Sequence, residues 1–311
     1  MTQQREVFEE QARQCEGRSP LYAQLCRSYA DDPAVAAIVG DEPEWDAPLR
    51  LLGGLHFLVL AGAASWDDPV DAHAAFLREF MRTQGVQTNE VQRSWALLPC
   101  FLRAAEMLAV EELDVVELGP SAGLNLVWDR YRYSYEAGEW GPGDAPIRLA
   151  GEERSRVPSA LLEVGPRVAR RVGIDLAPID VTTDEGARLL QCFVWAGQDE
   201  RFERLTRAIE AVRADPPELV GGDFADKLPK VLRDRPTLVF ETAAFPYVSD
   251  ETRAAVRETL SRAGAPLAFV TAGRPRGDEQ GWGMRLEMYP GGEREFVGHA
   301  DFHGAWLDYD L

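Results

Sequence analysis

Glu117, Asp175 and Asp223 each follow a short apolar run in the second half of the chain. A carboxylate in that place accepts hydrogen bonds from hydroxyl or amino groups of a ligand, and such bonds are charge-assisted. In open α/β sheets the ligand lies beyond the carboxyl ends of the strands, so three successive acids predict one shared ligand. Each acid alone has a second interpretation, as the N-cap of a following helix or part of an exposed turn.

The first acid opens a turn of small residues. After Glu117 the chain reads Leu-Gly-Pro-Ser-Ala-Gly, which places Gly119, Ser121 and Gly123 at alternate positions. Glycine is needed where the backbone turns sharply and where a ligand must approach without a Cβ in the way. The dinucleotide pattern G-x-G-x-x-G is not met, because Ser121 stands at its second glycine. The turn therefore predicts a cofactor site that departs from the usual NAD pattern.

The hydrophobic pattern places these residues on a parallel sheet. From residue 113 onward short apolar runs alternate with amphipathic helices, which is typical of strands joined by helical crossovers. Strands are predicted at 114–118, 172–176, 218–220, 237–240 and 266–271, and helices at 123–131, 200–213, 224–233 and 250–263. Two more runs, 283–289 and 294–300, flank a Pro-Gly-Gly turn and predict an antiparallel hairpin. The predicted fold class is α/β, with five parallel strands followed by a C-terminal hairpin.

Residues 1–112 predict a helical region ahead of the sheet. Ser19-Pro20 is typical of an N-cap followed by the first helical residue. Further helices are predicted to begin at Asp71 and in the segment 87–90, the latter with a kink or break at Pro99. We expect a helical cap region over 1–112 and a Rossmann-like domain over 113–311. Within the latter, residues 131–168 predict an inserted hairpin, either a lid over the site or a decoration of the sheet edge.

The spacing acid-x-Gly-x-x-x-Gly resembles the first motif of class I S-adenosylmethionine-dependent methyltransferases, which also end in an antiparallel hairpin. The resemblance implies that the glycine turn passes beneath the methionine and ribose part of S-adenosylmethionine, while the first acid helps to hold the amino group. It also implies that the second acid binds the ribose hydroxyls and that the third faces the adenine, beside an apolar ring. The implied cofactor-binding residues are Glu117, Gly119, Ser121, Gly123, Asp175, Asp223 and Phe224.

The chain also resembles, over nearly its whole length, an uncharacterised bacterial family, domain of unknown function 2332. The resemblance is carried by Gln87-Thr88-Asn89-Glu90-x-x-Arg93, by the stretch from Glu117 to Leu126 with the following Trp128 to Tyr133, by Gly173 to Asp180, and by His303-Gly304. It implies a methyltransferase-like fold with an attached helical region. The family brings no established activity, so the chemistry stays open.

The acceptor of a transferred methyl group is predicted at the exit of the fourth strand, since that exit faces the ligand edge. Candidate catalytic residues are Glu90, Thr242 and Tyr247, and candidate substrate-binding residues are Asn89, Arg93, Glu241 and His303. The segment 87–93 has an alternative interpretation as an ordinary helix start, with Thr88 or Asn89 as its N-cap. Methyl transfer is an in-line displacement in which alignment supplies much of the catalysis, so a general base is optional.

Composition and charge exclude several classes of function. A formal net charge of −19 without a basic run argues against nucleic acid as a partner. The most apolar stretch, 49–64, is shorter than the roughly 20 residues of a membrane span, and four scattered cysteines indicate reduced thiols, so we expect a cytoplasmic protein. His299 and His303 would lie roughly 13 Å apart on a strand, so no metal is expected. The open functions are a small-molecule methyltransferase, a catalytically silent adenosyl-cofactor or partner-binding protein, and a nucleotide-dependent oxidoreductase, with the oligomeric state not predicted.

Overall fold

A computed structural model describes residues 2–87, 89–274 and 281–310 of the protein. Thr88, one of the two predicted N-caps of the 87–93 segment, lies outside the described residues. The chain divides into two compact units, Met1–Asn89 with Asp180–Thr206, and Glu90–Ile179 with Arg207–Leu311. This division differs from the predicted boundary at residue 112, because the segment 90–111 groups with the sheet and residues 180–206 group with the N-terminal helices.

The helices of the described residues are α1 (Gln3–Cys15), α2 (Pro20–Tyr29), α3 (Pro33–Val39), α4 (Ala47–Leu60), α5 (Ala74–Thr83), α6 (Arg93–Leu108), α7 (Asp184–Gln191), α8 (Asp199–Ala214), α9 (Phe224–Val231) and α10 (Asp250–Ser261). The first unit is formed by α1 to α5, α7 and the first half of α8. The Ser19 hydroxyl accepts a hydrogen bond from the Tyr22 N–H, which confirms the predicted N-cap. No helix among the described residues combines the length and apolar character of a membrane span.

Two predicted helix starts were wrong. The helix expected to begin at Asp71 begins at Ala74, because residues Val70–His73 form a 3-10 turn that precedes it. The helix expected to open within 87–90 begins at Arg93, and the Glu90 carboxylate accepts from the Gln92 N–H in the turn that precedes it. Pro99 lies inside α6, and the helix continues past it to Leu108 without a break.

The strands are β1 (Glu112–Leu118), β2 (Arg132–Tyr135), β3 (Gly138–Trp140), β4 (Arg148–Ala150), β5 (Glu152–Glu153), β6 (Arg167–Asp175), β7 (Glu218–Gly221), β8 (Thr237–Thr242), β9 (Leu267–Gly273), β10 (Trp282–Tyr289), β11 (Arg294–Ala300) and β12 (Trp306–Tyr309). A nine-stranded sheet has the order β5-β12-β11-β10-β9-β8-β1-β6-β7. Its strands β7, β6, β1, β8 and β9 run parallel, and β10 with β11 forms the antiparallel hairpin. The α/β class, the five parallel strands and the hairpin are therefore confirmed, and β12 and β5 are two strands more than predicted.

The connection after β1 is not the regular helix predicted at 123–131. It is a 3-10 segment, Asn125–Arg130, with Val127 outside helical geometry. Leu126, Val127 and Trp128 are consecutive and all fully buried. The segment is packed on all sides, as most of α6 is, but its backbone does not form a regular α-helix.

The predicted insert 131–168 forms a small sheet of order β3-β2-β4, in which β2 and β3 make the expected hairpin. It is attached to α6 through Trp95, whose indole N–H donates to the Ser134 carbonyl at 3.0 Å and whose carbonyl accepts from the Tyr135 hydroxyl. The following strand β5 joins the large sheet beside β12. These contacts join the insert to α6, and its role as a lid or as a decoration of the sheet edge stays a prediction.

The two faces of the large sheet are covered by different helices. One face carries Val116 and Leu118 of β1 in a core cluster with side chains from α9 and α10. On the other face Phe240 of β8 contacts Phe101 of α6, with ring centroids 4.9 Å apart. Because side chains alternate along a strand and Glu117 is paired with Phe240, Glu117 lies on the α6 face.

Candidate functional site

The turn that follows β1 has an unusual backbone. Gly119, Ser121 and Gly123 have φ values of 81°, 52° and 76°, in the left-handed region. A Cβ on Gly119 would lie 2.6 Å from the Cβ of Ala244, so only glycine fits there. Ser121 occupies the position where the cofactor motif commonly has a glycine, and it still adopts the left-handed conformation at a cost of about 1 kcal/mol. One of the three left-handed residues of the turn is therefore not a glycine.

Asp175, at the end of β6, holds this turn. Its Oδ2 accepts a hydrogen bond from the Ser121 N–H at 2.9 Å, and its Oδ1 accepts from the Ala177 N–H at 3.0 Å. The two predicted cofactor residues Asp175 and Ser121 are thus brought together. A carboxylate oxygen has a second lone pair, so Asp175 retains acceptor capacity for ligand hydroxyls.

Glu117 lies beneath the same turn and is 1% exposed. Its Oε2 has no hydrogen-bond partner among the described residues. Burial, together with the neighbouring Asp175, raises the pKa of Glu117 to about 8, against a lowering effect of Arg93. The carboxyl is consequently protonated near neutral pH in the free protein.

The start of α6 also lies at this edge of the sheet. The Glu90 carboxylate accepts from the Gln92 N–H at 3.1 Å. The Arg93 guanidinium lies 4.4 Å from the centre of the Trp282 ring and donates through Nε to the Phe302 carbonyl at 2.9 Å. The Ser94 hydroxyl donates to the Asn125 side chain at 2.7 Å, which connects α6 to the chain after the glycine turn.

The C-terminal motif residue Gly304 contacts the same helix start. The Gln92 side chain donates to the Gly304 carbonyl at 3.3 Å and to the Ala150 carbonyl at 2.8 Å. A Cβ on Gly304 would lie 2.3 Å from the Gln92 carbonyl oxygen. Segments that are far apart in the sequence, near residues 92, 125 and 304, therefore meet at the carboxyl ends of the strands.

The end of β8 and the segment after it contain three of the predicted acceptor residues, Glu241, Thr242 and Tyr247. Glu241 is 1% exposed, and its Oε2 accepts from the Ala244 and Phe245 N–H groups at 3.0 and 3.1 Å. Burial raises the pKa of Glu241 to about 7, against the effect of these two hydrogen bonds and of Arg257. Because Glu241 is paired with Leu118, it lies on the face opposite Glu117, where it holds its own turn.

The other two residues of that segment differ in exposure. Thr242 is 7% exposed and, by alternation along β8, shares the α6 face with Glu117. Tyr247 is 82% exposed. Of the two predicted catalytic residues on this segment, Thr242 is thus the one placed on the face of the buried acid.

The remaining predicted residues have local structural partners. The Asp223 carboxylate accepts from the Ala225 N–H at 2.8 Å and caps α9, which is the alternative interpretation of that acid. Phe224 is 6% exposed, and its ring lies 3.9 Å from where a Cβ of Gly119 would be. His303 is exposed, and its N–H donates to the Asp301 carboxylate.

Asn89 belongs to the helical unit. Its side-chain amide donates to the Leu190 carbonyl, and its side-chain oxygen accepts from Arg201 at 2.9 Å. Both partners lie in the same unit, so these bonds account for the burial of Asn89. Its predicted contact with an acceptor stays a prediction.

Gln92, Trp282 and Phe302 were missed by sequence reasoning although they position Arg93 and Gly304. Gln92 could have been found from its place inside the Gln87 to Arg93 motif, and Phe302 from its place next to His303. Trp282 had no such sign, since its partner Arg93 is far away in the chain. Among the described residues, no three His, Cys, Asp or Glu side chains are grouped as metal ligands.

The profile of one protein family, described as "Uncharacterized protein conserved in bacteria (DUF2332)", matches residues 5–309. The chain belongs to this family. No curated protein matches the chain.

Proposed function

We propose that this member of an uncharacterised bacterial family is an S-adenosylmethionine-dependent methyltransferase that acts on a small molecule. The observation that supports the proposal most is the turn after β1. Three left-handed residues bend the chain there, Asp175 fixes the turn from the next strand, and the acid Glu117 lies beneath it. A cofactor on this turn would have backbone within reach, a carboxylate beside its ribose and a buried acid below its amino group.

The reaction requires little from the protein beyond alignment. S-adenosylmethionine, held by the turn after β1 with Asp175 and Glu117, would supply an activated methyl group to a nucleophilic atom of the acceptor, and the acceptor would give up its proton to solvent or to a base. Holding the two reactants in line supplies much of the rate enhancement. Arg93 interacts electrostatically with the buried acid, and Thr242 shares its face of the sheet. We therefore expect these two residues to orient the acceptor, with Glu90, Tyr247 and His303 as further candidates.

One observation favours a second candidate, an adenosyl-cofactor-binding protein without catalysis. The Glu90 carboxylate is occupied with the Gln92 N–H, and Tyr247 points its ring into solvent at 82% exposure. To act as a general base, Glu90 would have to give up its hydrogen bond with the Gln92 N–H, and Tyr247 would have to be shielded from solvent. Methyl turnover distinguishes this candidate from the first one.

Calorimetric titration with S-adenosylmethionine, S-adenosylhomocysteine and NAD tests the cofactor. We expect binding of the two adenosyl compounds and none of NAD. Asp175→Asn should weaken binding at least 10-fold, because one oxygen becomes an N–H donor that faces the Ser121 or Ala177 N–H and lies beside the ribose. The same change at the N-cap of α3, Asp32→Asn, controls for nonspecific effects, since Asn caps helices as well as Asp. Binding of NAD alone, or unchanged affinity in Asp175→Asn, would contradict the proposal.

A further inference from the structure

A groove lies between α1 and the segment 43–45, and we call it the α1 groove. Its volume is about 730 Å³, and every residue that lines it belongs to the first unit. The Gln3 side chain donates to the Pro43 carbonyl at 3.2 Å and so joins the two walls at one end. The lining extends along α1 as far as Gln14, which is roughly 16 Å at about 1.5 Å per residue. An extended segment of about five residues has that length.

Trp45 stands on the wall opposite α1. Of the eight tryptophans, all of which lie in the described ranges, only Trp45 is exposed, at 69%. Among the described residues its ring makes no contact with another ring or with a guanidinium. Tryptophan offers the best aromatic face for a cation, and arginine is the side chain that stacks there most often. The ring is therefore a suitable place for the guanidinium of a ligand.

The charges along the α1 groove favour a cation. Three acids line it, Glu6, Glu10 and Glu44, together with one base, Arg13. Glu10 is paired with Arg13, and Glu44 is paired with Arg50, which lies outside the lining. Glu6 has no cationic partner in the part of the chain that the structure describes. One carboxylate of the groove is thus left for a cation of the ligand.

The hydrogen-bonding groups of the lining are also unequal. The side-chain amide nitrogens of Gln3 and Gln14 donate to the Pro43 carbonyl and to the Glu10 carboxylate, each at 3.2 Å, and Arg13 donates to Glu10 at 3.1 Å. The amide oxygens of the two glutamines accept no hydrogen bond among the described residues. The protein therefore uses donors of the groove and leaves acceptors, so a ligand rich in N–H groups complements it.

Gln11 is the buried polar residue of the lining. It is 3% exposed, and its Nε2 donates to the Cys15 Sγ at 3.3 Å. Its Oε1 accepts no hydrogen bond from any described residue. A buried amide oxygen is rarely left without a donor in a native protein. Because Gln11 lines the groove, an N–H group of a ligand in the groove would supply that donor.

We propose that the α1 groove binds an extended segment of a partner protein, with an arginine of that segment stacked on Trp45. The guanidinium N–H groups donate to the carboxylate of Glu6 and to the amide oxygen of Gln11. The site is independent of the proposed methyl transfer, since none of its residues belongs to the candidate functional site.

An arginine fits these observations better than an ammonium group. Its guanidinium is planar and weakly hydrated, so it can lie flat on an indole ring while it presents five N–H donors at its edge. An ammonium is a compact point charge with three donors. The length of the groove, in turn, favours a stretch of chain over a free amino acid.

The test is NMR titration of the full-length protein with the peptide acetyl-Gly-Gly-Arg-Gly-Gly-amide. The indole N–H signal of Trp45 is identified by its loss in Trp45→Phe. This signal should shift and saturate with a Kd on the order of 1 mM, as expected for one anchoring side chain. A lysine peptide should bind about 3-fold more weakly, and a citrulline peptide, which keeps the shape of arginine without its charge, at least about 10-fold more weakly.

Three variants test the lining. Glu6→Gln, Gln11→Met and Trp45→Leu should each weaken the arginine peptide by about 3- to 10-fold, with the backbone N–H of residue 11 as the reporter where Trp45 is replaced. Glu6 and Trp45 are exposed, so their replacement should leave the fold intact. Glu9→Gln is the matched control, because it removes the same charge from α1 at a residue outside the lining. It should keep the affinity within about 2-fold, since salt screens the remaining attraction.

Four outcomes would overturn the inference. The first is no shift of the Trp45 signal at roughly 10 mM peptide, ten times the expected Kd. The second is an equal loss of affinity in Glu6→Gln and Glu9→Gln, which would show only a general attraction to an acidic protein. The third is tighter binding of spermidine than of the arginine peptide, which would indicate a polyamine site. The fourth is a shift of the Trp45 signal with protein concentration alone, which would identify a second copy of this chain as the occupant.

Discussion

Two turns at the carboxyl edge of the sheet each lie above a buried glutamate, and the two glutamates have opposite relations to their turns. Glu241 accepts two main-chain N–H groups of its own turn, after β8. Glu117 has an oxygen without a partner, and its turn is held instead by Asp175 from the neighbouring strand. The first carboxylate therefore stabilises its own turn, whereas the second keeps one oxygen without a partner among the described residues.

The contrast shows why residue type and position at a strand end do not define a binding residue. Both glutamates are the second-last residue of a buried strand, and both are 1% exposed. They differ in which face of the sheet they occupy and in how many N–H groups the next residues turn toward them. A carboxylate saturated by local donors has little left for a ligand, and an unsaturated one in the interior requires a reason.

The largest effect is expected from pH, through Glu117. Its pKa is raised from 4.5 in the unfolded chain to about 8 in the native state. The native state therefore binds this proton more tightly, and stability falls as pH rises between these values. At about 1.4 kcal/mol per unit, the loss from pH 5 to pH 8 is roughly 4 kcal/mol. Glu117→Gln should remove this loss, measured as the free energy of unfolding in denaturant at both pH values.

Glu241→Gln is the comparison variant for this experiment. The pKa of Glu241 is raised to about 7, so its destabilising effect is complete at a lower pH than that of Glu117. The difference in the free energy of unfolding between wild type and Glu241→Gln should stop growing near pH 7. The same difference for Glu117→Gln should stop growing near pH 8. Identical profiles for the two variants would contradict the distinction between an occupied and an open carboxyl.

The second prediction concerns the contact between the two turns. Gly119→Ala places a Cβ 2.6 Å from that of Ala244, at a residue with φ of 81°. The overlap costs about 1 to 3 kcal/mol and the left-handed backbone about 1 to 2 kcal/mol. We expect a total loss of roughly 3 kcal/mol in the free energy of unfolding, together with loss of any stabilisation by S-adenosylmethionine.

A double variant separates the two causes. Ala244→Gly removes the atom that collides, so Gly119→Ala/Ala244→Gly should recover the steric part and keep the backbone part. Gly292→Ala is the matched control, because its φ is 69° and no atom lies within 4 Å of the added Cβ. It should lose only about 1 kcal/mol. A double variant no more stable than Gly119→Ala would show that the turns do not meet as described.

Much of the large sheet could be predicted from the sequence because buried parallel strands appear in it as runs of apolar residues. The strands that escaped prediction are β5 and β12, which have two and four residues and lie at the sheet edge. The connection after β1 was predicted as a helix because its local sequence is compatible with one, and nothing in that sequence shows the non-helical backbone at Val127. Tertiary packing decided that segment.

The sequence predicted which acids lie at successive strand ends of the candidate site. It predicted the role of each acid less well. The pairing of Asp175 with the glycine turn follows from adjacent strands in a parallel sheet. Whether Glu117 or Glu241 is satisfied by its own turn depends on the direction of individual N–H groups. That direction is fixed by left-handed residues such as Ser121 and Ala243, which the sequence does not mark as such.

The smallest expected effect tests that last point. Ala243 has a φ of 62°. It lies in the chain between Thr242 and the two residues whose N–H groups bind Glu241. Replacement by glycine relieves about 1 to 2 kcal/mol of backbone strain and returns roughly 0.4 to 1 kcal/mol through the more flexible unfolded chain. We therefore expect Ala243→Gly to stabilise the protein by about 0.5 to 1 kcal/mol, seen as a rise in Tm of about 2 °C. Ala243→Val should destabilise it by more than about 1 kcal/mol, because a β-branched residue is poorly tolerated at positive φ.

If glycine destabilised this position instead, the backbone of the turn would not be left-handed. The two N–H groups would then have no reason to converge on Glu241, and the contrast with Glu117 would disappear.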